Sequence, residues 1–375
     1  MSILSRSEPE PSVPSSIPIE HIEVSTYTVP TDAPESDGTL EWDHTTIVIV
    51  TAHAGKEAGL GYTYANSATA EMIRSELRDA VKGMNAMAPQ AAYMEMWKKI
   101  RNFGRPGICS MAISAVDCAL WDLKARLLRL PLVTLLGQVR DAAPVYGSGG
   151  FTSYTDKQLA DQLGGWAAEG MHAVKMKIGR DPERDPERMR VAREAIGPDV
   201  SLYVDANGAY TPRQAFAQME VLQKYDVRWF EEPVSSDDLD GMRFVREHAG
   251  PRIDIAAGEY AYSPFYFLRM LSSGAIDVLQ ADMTRCGGVT GFMQAAALCQ
   301  AFNVRLSSHT APVLHTHAAC AAIPFTQMEY FHDHIRIEQM LFDGIPKLDN
   351  GALKPDLSRP GNGLELRRAA ADSSS

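Results

Sequence analysis

At 375 residues the chain is long enough to bury a large core and to hold two or three domains. Its composition, 45% hydrophobic and 22% charged, is that of an ordinary soluble globular protein. A net charge of −11 leaves no basic stripe for a phosphate backbone, and no apolar run reaches the roughly 18 residues of a membrane span, so neither nucleic acid nor membrane is an expected partner.

Residues 1–18 are rich in Ser, Pro and Glu, lack the apolar core of a signal peptide, and read as a disordered tail. The five cysteines (Cys109, Cys118, Cys286, Cys299, Cys320) are scattered through apolar segments with no CxxC, which suits reduced core thiols in a cytoplasmic protein. Residues 19–27 and 45–51 are β-branched and read as an antiparallel pair. The stretch between them, 28–44, contains Pro, Gly, acids and Trp42, and reads as a long loop, either a functional lid or a plain connection. Residues 59–64 close the sheet, with Tyr62 and Tyr64 facing a prospective site. Helical patterns follow at 68–84, 91–102 and 110–128; in the last, Ile113, Val116, Leu120, Leu123 and Leu127 recur at helical spacing. Pro131 and Gly137 end this α+β portion, set at 19–140.

From Pro144 the rhythm becomes strand and helix in alternation. Strands are expected at 145–147, 173–178, 202–205, 228–231, 253–257, 278–280, 304–307 and 326–329. One intervening helix is well marked, with Asp185 as N-cap, Pro186 at its first position and Gly197-Pro198 at its end. Eight such strands imply a closed barrel over 141–335. An open doubly wound sheet is the alternative, but no GxGxxG follows the first strand. No final barrel helix is expected after Glu329. Residues 336–375 are expected to run back onto the N-terminal domain, with a disordered tail at 367–375.

Three short apolar runs end abruptly in acids: Val204-Asp205, Phe230-Glu231 and Gly258-Glu259. Each lies about one strand–helix–strand unit, roughly 30 residues, from the next. The three carboxylates should therefore share the C-terminal rim of successive parallel strands, where barrels place their chemistry. Converging acids repel unless a hard divalent cation sits among them, Mg²⁺ first and Mn²⁺ second. Three unrelated surface acids is the blander reading. On the second strand Lys175 and Lys177 point to one side, and as like charges should depress each other's basicity, which would fit Lys177 as a base. Asp282 ends the sixth strand and His309 follows the seventh; a carboxylate beside an imidazole fixes its tautomer. Glu329 ends the eighth and could hydrogen-bond a substrate oxygen if protonated. His315, His317, His332 and His334 lack this placement and read as structural.

Together, Lys175-x-Lys177, Asp205-Ala-Asn207, Glu231-Glu-Pro233, Gly258-Glu259, Asp282 with Gly287-Gly-Val-Thr-Gly291, His309 and Glu329 resemble the mandelate racemase subgroup of the enolase superfamily. The likeness extends from Ile19 over nearly the whole chain and includes Ser114-Ala-Val-Asp117, Ala119-Leu-Trp-Asp122 and Leu135-Leu-Gly137. It implies an α/β fold, a modified TIM barrel (β/α)7β with an α+β N-terminal capping domain. It implies Asp205, Glu231 and Glu259 as ligands of Mg²⁺, and Lys177 and the His309–Asp282 pair as acid–base groups on opposite faces of a carboxylate substrate. Lys175 would hold the substrate carboxylate, Glu329 would bond the developing enolate, Asn207 and Trp42 would touch substrate, and Glu232 would stand behind the ligands. Arg285 occupies a position where relatives often carry lysine. The implied reaction is removal of a proton α to a carboxylate, leading most often to dehydration of a sugar acid to a 2-keto-3-deoxy acid. Racemisation, epimerisation or cycloisomerisation are the alternatives at the same site, and a homo-oligomer, dimer or octamer, is expected. A catalytically dead scaffold or a metal hydrolase fits less well, because every position carries a competent residue and the strand ends offer carboxylates rather than histidines.

Overall fold

Two antiparallel strands come first among the described residues: β1 (His21–Ser36) and β2 (Glu41–Ala54), with β3 (Glu57–Tyr64) on the other edge of β2. The computed structural model describes residues 16–367. The expected tails lie outside the described residues except at their inner ends, where the Ile17 N–H donates to Asn85 Oδ1 (3.1 Å) and the Arg367 N–H to Leu341 O (2.8 Å). The long loop expected at 28–44 is not a loop. β1 and β2 pair almost throughout, and only residues 37–40 turn between them. Pro30, one of the residues that suggested a loop, sits on the edge strand β1, where a missing N–H costs no ladder bond.

The helix expected at 68–84 is interrupted. α1 (Ser67–Met72) passes through a π-helical turn, Ile73–Leu77, into α2 (Arg78–Val81). α3 (Pro89–Lys99) and α4 (Ile108–Leu127) follow, then the short α5 (Leu132–Leu136). α4 is buried on nearly every side and lies against β3. Gly59 and Gly61 permit that approach: a Cβ at Gly61 would meet the Ala115 carbonyl at 2.3 Å and one at Gly59 the Ala119 carbonyl at 2.2 Å.

The barrel runs β4 (Ala143–Gly149), α6 (Asp156–Ala168), β5 (Ala173–Lys177), α7 (Asp185–Ile196), β6 (Ser201–Asp205), α8 (Pro212–Lys224), β7 (Val227–Glu231) and α9 (Leu239–His248). It continues as β8 (Asp254–Ala257), α10 (Pro264–Ser273), β9 (Val278–Ala281), α11 (Gly288–Phe302), β10 (Arg305–Ser308), α12 (Pro312–Ala321) and β11 (Phe325–Phe331). All eight strands are parallel neighbours in chain order, and β11 pairs with β4 to close the ring. Their apolar residues are buried on both faces, which is why they read as continuous runs. α7 begins one residue earlier than expected. Asp185 is its first residue rather than its cap, and its Oδ2 takes the Gly179 N–H (2.8 Å) and the Tyr210 hydroxyl (3.1 Å).

A helix does follow the eighth strand, against expectation: α13 (His332–Leu341). Its polar residues turn toward the N-terminal sheet, with Tyr62 Oη donating to Glu338 Oε1 (2.5 Å) and the Tyr64 and His334 rings stacked at 11°. The chain then returns to α4 and β3. Asp122 accepts the Leu60 N–H (2.7 Å) and the Asn362 N–H (2.6 Å), and Arg126 donates to Asp122 and to the Leu364 carbonyl. Among the described residues no helix is long and apolar enough to cross a membrane.

Candidate active site

Register brings the strand-end residues together. Lys177 of β5 pairs with Asp205 of β6, and Asp205 with Glu231 of β7, so these three share one level of the barrel. Glu231 pairs with Ala256, and the chain then climbs three residues to Glu259. Gly258 allows this climb: its φ is +137°, and a Cβ there would meet the Gln280 carbonyl at 2.2 Å. On the other side of the ring Ser308 of β10 pairs with Ala281 and Met328, which sets His309 beside Asp282 and Glu329.

Asp205, Glu231 and Glu259 are all buried, and one carboxylate oxygen of each lies within 4.8 Å of the other two. The donors are all hard oxygens, the carboxylates converge, and Glu259 Oε2 has no hydrogen-bond donor although His309 Nε2 is 3.3 Å away. This set fits a hard divalent cation. Trp229 Nε1 orients Glu231 through Oε2 (2.9 Å), and the Asn207 N–H orients Asp205 through Oδ1 (2.8 Å).

The two lysines are engaged by the acids rather than by each other. Lys177 Nζ is 2.5 Å from Asp205 Oδ2; Lys175 Nζ is 2.5 Å from Glu231 Oε1 and 2.8 Å from Glu329 Oε1. Burial works to lower both lysines, but the facing carboxylates outweigh it and both stand above the ordinary lysine range. The expected depression is present, Lys175 lowering Lys177, but a like charge two residues away is a smaller influence than the Asp205 carboxylate in contact. Burial similarly works to raise Asp205, and the lysines overcome it, leaving the group below its usual value, while burial and Asp205 push Glu231 up to about 8.

Glu329 lies in a similar balance. Burial opposes its ionisation, yet Lys175 and His309 hold it well below the carboxylate range. Its oxygens already take Ser148 Oγ (2.6 Å) and the Thr310 N–H (2.8 Å). Lys175, Ser148 and the Thr310 N–H all donate to it, so in this arrangement its oxygens act as acceptors.

His309 Nδ1 lies 2.8 Å from Asp282 Oδ2, and Asp282 is fixed in turn through Oδ1 by the Thr284 N–H (2.6 Å) and hydroxyl (2.7 Å). Burial works against a charged imidazole, but Glu259 and Asp282 outweigh it and raise His309 above its ordinary value. Arg285 lies 3.5 Å from both Glu259 and Asp282, with its guanidinium over the Tyr260 ring at 5.2 Å.

Lys177, Glu259, His309, Asn207 and Trp42 open onto one cavity of about 370 Å³, walled on the outside by the β1–β2 hairpin. Lys175, Asp205, Glu231, Asp282 and Glu329 are buried around its base. Tyr64 lines the cavity but Tyr62 does not; it is spent on Glu338. His334, read from the sequence as structural, also lines it, as do Thr310, Tyr260 and Phe331, which the sequence does not single out. His334 Nδ1 accepts the Ala311 N–H (3.3 Å), and burial lowers its basicity well below the usual histidine value. His315 and His317 accept the Met283 and Val133 N–H groups in the core. Asn207, Glu232 and Thr310, each just past a strand end, have φ of +46°, +38° and +45°, a conformation non-glycine residues hold only where surroundings enforce it. The Glu232 carboxyl is buried with Oε1 unpartnered, and burial and Glu259 push it well up.

Comparison with known proteins places this geometry. Residues 21–137 match the family profile described as mandelate racemase/muconate lactonizing enzyme, N-terminal domain, and residues 158–370 the one described as enolase C-terminal domain-like. A mandelate racemase/muconate lactonizing enzyme-like protein from Rubrobacter xylanophilus is 50% identical and superposes with a TM-score of 0.93 over 95% of this chain and 99% of its own. The 3,6-anhydro-alpha-L-galactonate cycloisomerase of Streptomyces coelicolor is 33% identical over 93% of this chain and 97% of its own. The L-talarate/galactarate dehydratase of Salmonella typhimurium is 28% identical over 89% and 86%. Its structure liganded with Mg and L-lyxarohydroxamate superposes with a TM-score of 0.89 at 25% identity, covering 100% of this chain and 97% of that one.

Proposed function

This chain belongs to the mandelate racemase/muconate lactonizing enzyme family of the enolase superfamily, and from that premise we propose that it removes the proton α to a carboxylate and dehydrates a sugar acid to a 2-keto-3-deoxy acid. The observation that carries the proposal is the register that brings Lys177, the three carboxylates and the His309–Asp282 pair to one cavity. Asp205, Glu231 and Glu259 would hold Mg²⁺, which when bound supplies a Lewis acid for the charge that builds on the substrate carboxylate.

The chain's own groups move the protons. Lys177 and His309 come from β5 and β10 and meet the substrate from different sides. One of them takes the α-proton. Asp282 accepts from His309 Nδ1, so Nε2 is the atom presented to substrate. His309 in its protonated form gives that proton to the departing β-hydroxyl; the C–O bond breaks, water leaves, and the enol tautomerises to the keto acid. Lys175 supplies positive charge from beneath the floor, and Glu329 holds Lys175 and the Thr310 turn in place. Asn207 and Trp42 contact the polyol, and the β1–β2 hairpin shields it from water.

A panel of aldonates and aldarates with Mg²⁺, assayed for keto acid and by product mass, tests this. Dehydration gives a product one water lighter than its substrate. A second reading, cycloisomerisation, is favoured by the cycloisomerase relative that matches over nearly its full length. It would give an isomer of its substrate, equal in mass in ordinary water and carrying one deuterium at the α-carbon in deuterated water.

A further inference from the structure

β1 departs from regular pairing at a place the mechanism does not use. Pro30 pairs with His44 and Glu35 with Trp42, so residues 31–34 stand opposite Asp43 alone. A bulge of this kind re-aims side chains. Here Asp32 and Glu35 come together with His332, the first residue of α13, and one ligand atom of each lies within 4.8 Å of the other two. Asp32 Oδ2 is 2.9 Å from His332 Nε2. Glu35 is 0% exposed; its Oε2 takes the Trp42 indole N–H at 2.8 Å, and its Oε1 has no partner. Asp333, also fully buried, gives Oδ1 to Arg336 (2.6 Å) and leaves Oδ2 unpartnered. Asp32 has the His332 ring and Asp333 the Arg336 guanidinium, which leaves the buried Glu35 carboxyl with no cation in contact. A buried carboxyl in that position either holds its proton or takes a cation, and Oε1 is open to one.

We propose that Asp32, Glu35 and His332 form a second metal site that takes a divalent transition ion, Zn²⁺ in the first instance. The donor set separates it from the trio in the barrel. Three carboxylates suit Mg²⁺, whereas an imidazole with carboxylates selects Zn²⁺ and its neighbours. Three protein ligands leave a fourth position for water. The indole bond on the second Glu35 oxygen is the kind of outer contact that orients a metal-bound carboxylate. The ion would clamp the bulge of β1 to the start of α13. Through Glu35 it would fix Trp42, which packs edge-on against Phe151 at 5.7 Å and forms part of the cavity wall. The site therefore sets the position of the outer wall without touching the reacting groups.

The test is Zn²⁺ binding to the chelator-stripped full chain in excess Mg²⁺, followed by calorimetry and elemental analysis, for the wild type, His332→Gln, Asp32→Asn and Glu259→Gln. Asp32 and His332 are partly exposed, so neither substitution opens the core; circular dichroism checks each. The expected result is one Zn²⁺ per chain in the wild type and in Glu259→Gln. In His332→Gln and Asp32→Asn, binding should weaken by at least the roughly tenfold to hundredfold that even an outer-contact loss costs. The proposal is overturned if the wild type takes up no Zn²⁺, if either folded ligand variant binds as the wild type does, or if only Glu259→Gln loses the ion.

Discussion

Asp282 holds His309 Nδ1 and leaves Nε2 on the side of Glu259 and the cavity, as the proposed acid–base role requires. His309→Asn should lower kcat on the competent sugar acid by about 10²- to 10⁴-fold, the range for loss of one acid–base group, while Mg²⁺ affinity stays near that of the wild type. Steady-state kinetics and Mg²⁺ titration of the same preparation check both halves. A second residue-scale outcome concerns Glu338, which burial pushes up to about 8. Its folded value lies above its unfolded one, so its contribution to stability is complete below about pH 4.5 and is lost as pH rises through about 8. Melting temperatures measured at about pH 5 and pH 8 should differ less in Glu338→Gln than in the wild type. An equal or larger gap would contradict the assignment. The strand-end acids were legible because a carboxylate closing an apolar run has few structural uses. His334, Thr310 and Tyr260 were not, because they reach the cavity through turns and a helix start whose direction tertiary packing decides.

At the scale of elements, the β1–β2 hairpin was the hardest to read. Pro30, Pro34 and Gly38 punctuate it as a loop would, and only the partner strand, met later in the chain, makes it a ribbon. α13 is hard to read for a related reason: His334 and Glu338 lie buried against the N-terminal sheet, where a polar residue ordinarily signals solvent. The hairpin's role is checked by Trp42→Ala, which should raise KM or change substrate preference and leave Mg²⁺ binding intact. Reduced Mg²⁺ affinity with unchanged selectivity would count against it. Gly61→Ala drives a methyl into the α4 backbone, and overpacking of that sort costs about 1–3 kcal/mol. Its melting temperature should fall clearly, whereas Gly55→Ala, where no heavy atom stands within 4 Å, has only its positive φ to lose.

Across the whole molecule, α4 joins the N-terminal sheet to the barrel and so holds the hairpin wall over the strand-end acids. Asp117 on α4 accepts the Thr290 N–H (2.9 Å) and hydroxyl (2.7 Å) in the first turn of α11, where the helix dipole favours a carboxylate. Asp117→Ala leaves those donors buried and unpaired, at about 1–3 kcal/mol each, and should lower the thermal midpoint. Barrel closure was legible from the alternation of eight short apolar runs with helices; the seam was not, because Ser114, Asp117 and Asp122 find their partners far along the chain. The proposed α-proton abstraction is tested most directly by proton NMR of a sugar acid turned over in deuterated water, run with Mg²⁺ for the wild type and for the Lys177→Ala, His309→Ala double variant. The wild type is expected to give a keto acid one water lighter, only with Mg²⁺ present, and the double variant neither product nor α-deuterium exchange. Turnover that survives chelation, or that persists in the double variant, would contradict it.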